Sequence, residues 1–433
     1  MRKYLAVFLG VLFILSLAVT AFAEEPTVTL GGKMLLRGWY FDNVSTLTGG
    51  TGLPTDTDSN AMYSTNVFLT IDAKVADNVR AFIELETGTS NTSGLYYWGR
   101  SSSNDSKADG HLFFRQAWVH YTGSGLLGVP TGIKAGHMFL TLGEKQFLNH
   151  ERFGDDAILL TVEPTKELFI GLITAKLVEA DTGQDGDDVD AYVVLGTYKI
   201  NKDNTAGLNY TYINSSDTEL SLQNLGLHAN GDISGLKYAA EVDFQFGEDG
   251  DRDFGGYGIL AKLGYMLDPV NLRASFAMGS GDNDADDDKN KEFQALVGND
   301  NQGATARFPH YTQIYERTLQ TAAADNLLAN TRTTGIANTT YYNLGLDVNP
   351  VKELSVSLDG FLLRATKTDL WGDGVSKNVG WEIDTKISYK IAKNLTYFIE
   401  AGIFKPGKFY EESGLVSDKK TVNQAVHGLS LTF

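Results

Sequence analysis

Residues 236–246 read LKYAAEVDFQF: Leu236, Tyr238, Ala240, Val242, Phe244 and Phe246 fall on one side of an extended chain. Lys237, Ala239, Glu241, Asp243 and Gln245 fall on the other. Successive side chains of a strand point to opposite faces, whereas a helix needs apolar residues three and four apart. The stretch is therefore a strand with one apolar and one polar face. The same period recurs in 257–265, where Tyr257, Ile259, Ala261, Leu263 and Tyr265 oppose Gly258, Leu260, Lys262 and Gly264. It recurs again in 379–389, where Val379, Trp381, Ile383, Thr385, Ile387 and Tyr389 oppose Gly380, Glu382, Asp384, Lys386 and Ser388.

Working outward in both directions, eighteen such segments follow: 28–41, 61–75, 79–87, 111–121, 132–142, 157–163, 168–179, 189–200, 205–213, 220–230, 236–247, 255–266, 270–280, 340–348, 354–365, 379–391, 395–405 and 421–433. The segment 157–163 is short and almost wholly apolar, so sixteen strands is the alternative count. Short connections (76–78, 122–131, 163–167, 201–204, 232–235, 268–269, 349–353, 392–394) alternate with long ones (42–60, 88–110, 143–156, 181–188, 247–254, 282–339, 408–420). A meander with tight turns at one end and large loops at the other is the pattern of a transmembrane antiparallel up-and-down β-barrel. Eighteen strands closed around an apolar core enclose a space too wide for side chains to fill. The inverse arrangement works: apolar faces meet lipid, polar faces line a wet lumen, and closure pairs every backbone group within the bilayer.

Aromatics on the apolar face stand eight residues apart in three strands: Tyr238 and Phe246, Tyr257 and Tyr265, Trp381 and Tyr389. At ~3.3 Å per residue and ~40° of tilt this is roughly 20 Å of height, close to the ~25 Å band between aromatic girdles.

Arg2 and Lys3 precede an apolar core at 5–18, and Ala21-Phe22-Ala23 fits a small-x-small cleavage site. Residues 1–23 thus read as a signal peptide, and 24–433 as one barrel domain. Export removes Arg2 and Lys3, taking the formal net charge from −18 to −20. The chain has no cysteine, so disulfide scaffolds and Cys-ligated metals are excluded. Its acidity argues against nucleic acid as a partner, and 23 Phe, 20 Tyr and 5 Trp argue against disorder.

The whole of 24–433 resembles the Gram-negative outer-membrane porins in architecture, most specifically at its end, where Leu429, Leu431 and Phe433 look like the signal read by the barrel-assembly machinery. Eighteen strands, with the segments TLGGKMLLRGWYFDN and LFFRQAWVHYTG, resemble the substrate-selective and alginate-export-like barrels among them. No complete arginine-rich conduction motif is present. The resemblance implies outer-membrane lipid and lipopolysaccharide as surroundings, small hydrophilic solutes as cargo, and allows a homotrimer.

Assigning polar faces inward lines the lumen with Lys33, Arg37, Asp72, Lys74, Arg80, Glu84, Glu86, Lys134, Glu241, Asp243, Lys262, Arg273, Glu382, Asp384 and Lys386, among others. By this parity the wall carries eleven cations and eleven anions, which suits small polar solutes better than a strongly selective filter. Pairing of these charges with one another is the competing expectation.

In porins the loop after the fifth strand commonly forms the constriction. Here that loop, 143–156, holds Glu144, Lys145, His150, Glu151, Arg152, Asp155 and Asp156, with Phe147 and Phe153 as anchors. The 282–339 loop is long enough to act as a lid or plug, packing inward through Phe308, Tyr311 and Tyr315.

Acidic loops carry Asp185, Asp187, Asp188, Asp284, Asp286 and Asp288. Closely spaced carboxylates suit calcium, although none has EF-hand spacing and a solvated acidic loop is the plainer expectation. No other cofactor is expected. Residues 123–128 fit GxGxxG but sit in a turn with no helix after them, and no GxSxG, P-loop or HExxH occurs, so an enzyme is not expected. The expected function is a channel for passive diffusion of small hydrophilic solutes. The alternatives are a substrate-specific sugar or polymer export or uptake channel, or a plugged structural or adhesin barrel.

Overall fold

The structure is a computed structural model. It describes residues 26–43, 59–89, 96–97, 110–125, 128–151, 154–179, 188–215, 219–284, 286–297, 312–315, 336–415 and 419–433. The signal peptide expected at 1–23 lies outside these.

Eighteen wall strands form one closed antiparallel barrel: β1 (Thr27–Asp42), β2 (Ser59–Ala76), β3 (Val79–Thr89), β4 (Gly110–Gly123), β5 (Thr131–Met138), β6 (Asp155–Val162), β7 (Leu168–Val178), β8 (Val189–Lys199), β9 (Asn204–Ser215), β10 (Leu220–Ile233), β11 (Leu236–Asp249), β12 (Tyr257–Leu267), β13 (Val270–Gly279), β14 (Thr339–Val351), β15 (Leu354–Ala365), β16 (Asn378–Ala392), β17 (Leu395–Pro406) and β18 (Val422–Thr432). Each pairs with its chain neighbours, and β1 with β18 closes the ring, Trp39 opposite Val426. The alternative of sixteen is excluded by 157–163, which forms β6 between β5 and β7. Tight turns gather at the end that holds both termini.

The alternation of side chains is realised as expected. On β11, Glu241, Asp243 and Gln245 are buried, while Phe244 and Phe246 are exposed. Exposed apolar side chains cover the outer wall, Leu344 at 73% exposure among them, as a lipid-facing surface requires. Tyr257, Tyr265, Trp381 and Tyr389 are exposed on that surface, and Tyr238 is half-buried. Of the terminal residues, Leu431 and Phe433 are exposed and Leu429 is half-buried. The backbone N–H and C=O of Phe433 bond Gly32 at 3.1 and 2.9 Å, extending the closing seam by one pair.

Three sequence expectations are corrected. The strand expected at 132–142 leaves the wall after Met138, because Leu140 and Leu142 turn into the barrel and are buried there. Val379 is fully buried rather than outward, since the β15–β16 register shifts between Leu363 and Arg364 and inverts its side. The inward face is also not polar throughout. In the long-loop half of the barrel Val193, Ile213, Leu222, Leu260, Tyr341 and Phe404 face inward and pack in one cluster with residues of the loops.

Candidate functional site

The lumen holds chain of its own. After β5, residues 139–151 fold inside as a small hairpin, with Leu142 N–H bonded to Leu148 O (3.1 Å) and His150 N–H to Leu140 O (2.9 Å). Phe147 and Leu148 are buried in the lumen cluster. The segment is tied to opposite walls. On one side Arg115 of β4 donates to Glu151 O (3.1 Å). On the other, the Glu144 N–H donates to the Glu241 carboxylate (2.6 Å), and the Glu144 side chain accepts from Asn230 (2.9 Å) and lies 3.6 Å from Lys262. Gly143 makes this contact feasible. It has φ +52, and a Cβ there would lie 2.1 Å from the Glu241 carboxylate. The hairpin also pairs in parallel with Leu296 and Val297, part of the connection that follows β13.

A second piece of that connection, residues 312–315, docks elsewhere. Ile314 and Tyr315 donate their backbone N–H groups to Glu382 of β16 (2.6 and 2.9 Å), and Gln313 donates to Asp384 (3.0 Å). Tyr315 is fully buried against Tyr341 and Phe404, and Phe404 against Tyr410 of the last loop. Gly402 leaves room here, as a Cβ would lie 2.5 Å from Asp384 and 3.2 Å from Ile314.

At the short-turn end the wall has a different character. Lys74, Arg80, His120 and Lys134 stand directly opposite one another on β2, β3, β4 and β5, forming one row of basic side chains. Two residues further along, on the same face, Phe82 and Trp118 stack at 5.3 Å, with Arg80 5.5 Å and Lys134 4.0 Å from the Trp118 ring centre. Asp72 binds Arg80 through two bonds (2.5 and 2.7 Å) and Asp77 binds Lys74 (2.5 Å). Like charges set opposite in a sheet repel, and the opposed pair Lys74 and Arg80 is answered by these two carboxylates.

Between these regions runs a polar network. Arg37 bonds Asn66, Asn66 bonds Glu86 (3.0 Å), and Arg115 bridges Glu86 (3.1 Å) and Glu84 (2.6 Å). Gln116 also donates to Glu84 (2.9 Å). Across the barrel Arg273 forks between Asp347 and Asp359, each nitrogen contact 2.8–2.9 Å, and Lys386 pairs with Glu400 (2.6 Å). Lys33 lies on the inward face of β1, two residues below Leu35.

Of the residues expected in the constriction, Glu144 reaches the far wall, Lys145 pairs with Glu151, and His150 is bonded to Asp155 (2.8 Å). Asp155 and Asp156 belong to β6, and Asp156 contacts His137 (3.0 Å). Arg152 and Phe153 lie outside the described residues, as do Phe308 and Tyr311. The expected calcium ligands that are described, Asp188, Asp284, Asp286 and Asp288, form no metal-ligating group among the described residues. Asp185 and Asp187 lie outside the described residues, and Asp188 is bonded to Lys176 (2.6 Å). Asp284 accepts the Asp286 N–H (3.1 Å), and Asp288 gives its backbone carbonyl to Asp253. Nearby Asp287 is held by Lys291 (2.7 Å), which keeps its carboxyl below the usual carboxylate range. No group of three candidate ligands occurs among the described residues.

Arg115 and His120 were not legible as lumen residues. The β3–β4 register shifts between Glu84 and Leu85. The signal was available in Phe113-Phe114-Arg115-Gln116, where two apolar then two polar residues break strict alternation.

The sequence profile of the family described as "Alginate export" matches residues 48–423. No curated protein matches the sequence. Among solved structures, Pseudomonas aeruginosa OccK11 (OpdR) is similar with TM-score 0.57 at 13% identity, over 93% of this chain and 96% of that one. Pseudomonas aeruginosa OccK8 (OprE) gives 0.57 at 12%, over 96% and 99%. Pseudomonas aeruginosa OpdK, solved with vanillate, gives 0.56 at 10%, over 95% and 100%. At such identities the likeness is one of fold.

Proposed function

The chain belongs to the alginate export family of outer-membrane β-barrels, and from that premise we propose that it is a water-filled channel passing small hydrophilic solutes, selective for anions. The observation that carries this is the row Lys74, Arg80, His120 and Lys134 beside the Phe82–Trp118 stack. An even balance of wall charge is what strand parity alone suggests. Yet Glu241, Asp243, Glu382 and Asp384 are at most 5% exposed: Glu241, Glu382 and Asp384 are bonded by the folded-in segments and Asp243 by Asn224 of the wall, so none of the four is turned to a passing solute. In the basic row Arg80 is bonded to Asp72 and Lys74 to Asp77, whereas Lys134, beside Trp118, has no carboxylate bonded to it among the described residues and is the cation open to a solute.

A stacked aromatic pair flanked by cations favours a solute with a ring or other flat apolar face and a carboxylate. The vanillate held by OpdK and the polymer for which the family is named both carry carboxylates. Segments 139–151 and 312–315 occupy lumen space, which favours substrate selectivity over general diffusion. Leu429, Leu431 and Phe433, on the seam strand, supply the assembly signal.

The test is reversal potential in a planar bilayer under a potassium chloride gradient, for the native chain and for K134Q. The proposal expects anion preference that weakens in K134Q. Cation preference in the native chain overturns it.

A further inference from the structure

Two strands of the barrel carry the same short pattern on their inward face: Glu241-Val242-Asp243 on β11 and Glu382-Ile383-Asp384 on β16. In each, the middle residue points outward and both carboxylates are buried. A buried carboxylate is costly unless donors meet it, and backbone N–H groups bonded to a carboxylate are among the stronger hydrogen bonds. For three of the four the donors come from chain folded into the lumen: Glu144 to Glu241, Ile314 and Tyr315 to Glu382, and Gln313 to Asp384; Asp243 accepts from Asn224 of the wall.

We infer that Glu241 and Glu382 are positioning residues, each latching a different segment inside the lumen and so setting the width of the channel. The two latches are separate. Segment 143–149 is paired to Leu296 and Val297, whereas 312–315 is packed by Tyr341 and Phe404. Each latch is also matched by a glycine that clears space for it, Gly143 for Glu241 and Gly402 for Asp384 with Ile314. A carboxylate whose only task is to support the wall would not need amides from a segment 67 or 68 residues away to bond it. Releasing one latch leaves the other segment in place, so the channel widens in two steps. The inference rests on the channel reading for its consequence, but the latch itself is a matter of accessibility.

The chain has no cysteine, which makes a single introduced thiol unique. Ile314 is fully buried in the latched state. In refolded, vesicle-embedded protein, I314C is expected to resist a water-soluble maleimide. I314C combined with E382A is expected to label rapidly, and I314C with E241A to stay protected. All three should keep the heat-dependent gel shift of a folded barrel. In E382A the unitary conductance should rise. Oxidising the pair I314C and G402C in the E382A background should restore the native step, and reduction should enlarge it again. A structural role in the wall would not be rescued by tying the segment back. Equal labelling with and without Glu382, in a folded barrel, overturns the latch. A native chain that inserts but conducts nothing overturns the channel reading instead, and labelling still decides the latch.

Discussion

The ammonium nitrogen of Lys134 stands 4.0 Å from the centre of the Trp118 ring. The guanidinium of Arg80 lies 5.5 Å from the same ring, and Phe82 stacks on it. One aromatic side chain thus helps to hold two cations that would otherwise repel, each contact worth about 0.5–2 kcal/mol. These cations are fixed at the lumen surface near the short-turn end, where a solute must pass them.

Removing one of these charges changes selectivity without touching the barrel. A unit charge at ~4 Å is worth about 1 kcal/mol in water, a factor of ~5 in local ion partition at most. R80Q is expected to lower the anion-to-cation permeability ratio within that factor, and the shift should shrink as salt is raised. Reversal potentials at two ionic strengths check it. W118L keeps every charge, so it should retain the sign of selectivity while weakening block by added aromatic carboxylates.

Arg115 bridges Glu84 and Glu86 in the buried part of the wall. R115A leaves two carboxylates without their cation, a loss of about 3–5 kcal/mol by the usual cost of breaking buried pairs. Urea unfolding of the vesicle-inserted protein should show it as a lowered midpoint. R115K should recover only part, since an ammonium cannot fork between two carboxylates and still reach Glu151.

Leu344 is exposed on the outer wall in the middle of β14, flanked by Ala274 and Gly360. L344R is expected to cost about 2–4 kcal/mol if it lies at the bilayer midplane. S275R, one position along from Ala274 and on the inward side, should be far milder. Equal penalties would contradict the assignment of faces.

Gly143 adopts φ +52 against the Glu241 carboxylate. G143A adds about 1–2 kcal/mol of backbone strain and a clash with the group that anchors the hairpin. Release of the hairpin relieves both, so the expected result is a wider, noisier channel in a wall that still shows the gel shift of a folded barrel, read from single-channel records and the gel.

The barrel itself was written in local alternation: each of the eighteen expected segments overlaps a wall strand, because period two on a lipid-facing sheet is enforced residue by residue. Departures fall where a local rule yields to packing. Leu140 and Leu142 continue the apolar pattern of β5 yet serve a core inside the lumen, and Val379 changes side at a register shift. The site was less legible for a different reason. Lys74, Arg80, His120 and Lys134 become one row only through the registers of three strand pairs. The bond from Ile314 to Glu382 spans 68 residues. Neither relation has a local signature.

The most direct test of the central claim is the reversal potential of the refolded mature chain in a planar bilayer across a tenfold potassium chloride gradient. Discrete steps reversing on the anion side, and moving toward zero in K134Q, are the predicted result. Steps reversing on the cation side would contradict the account.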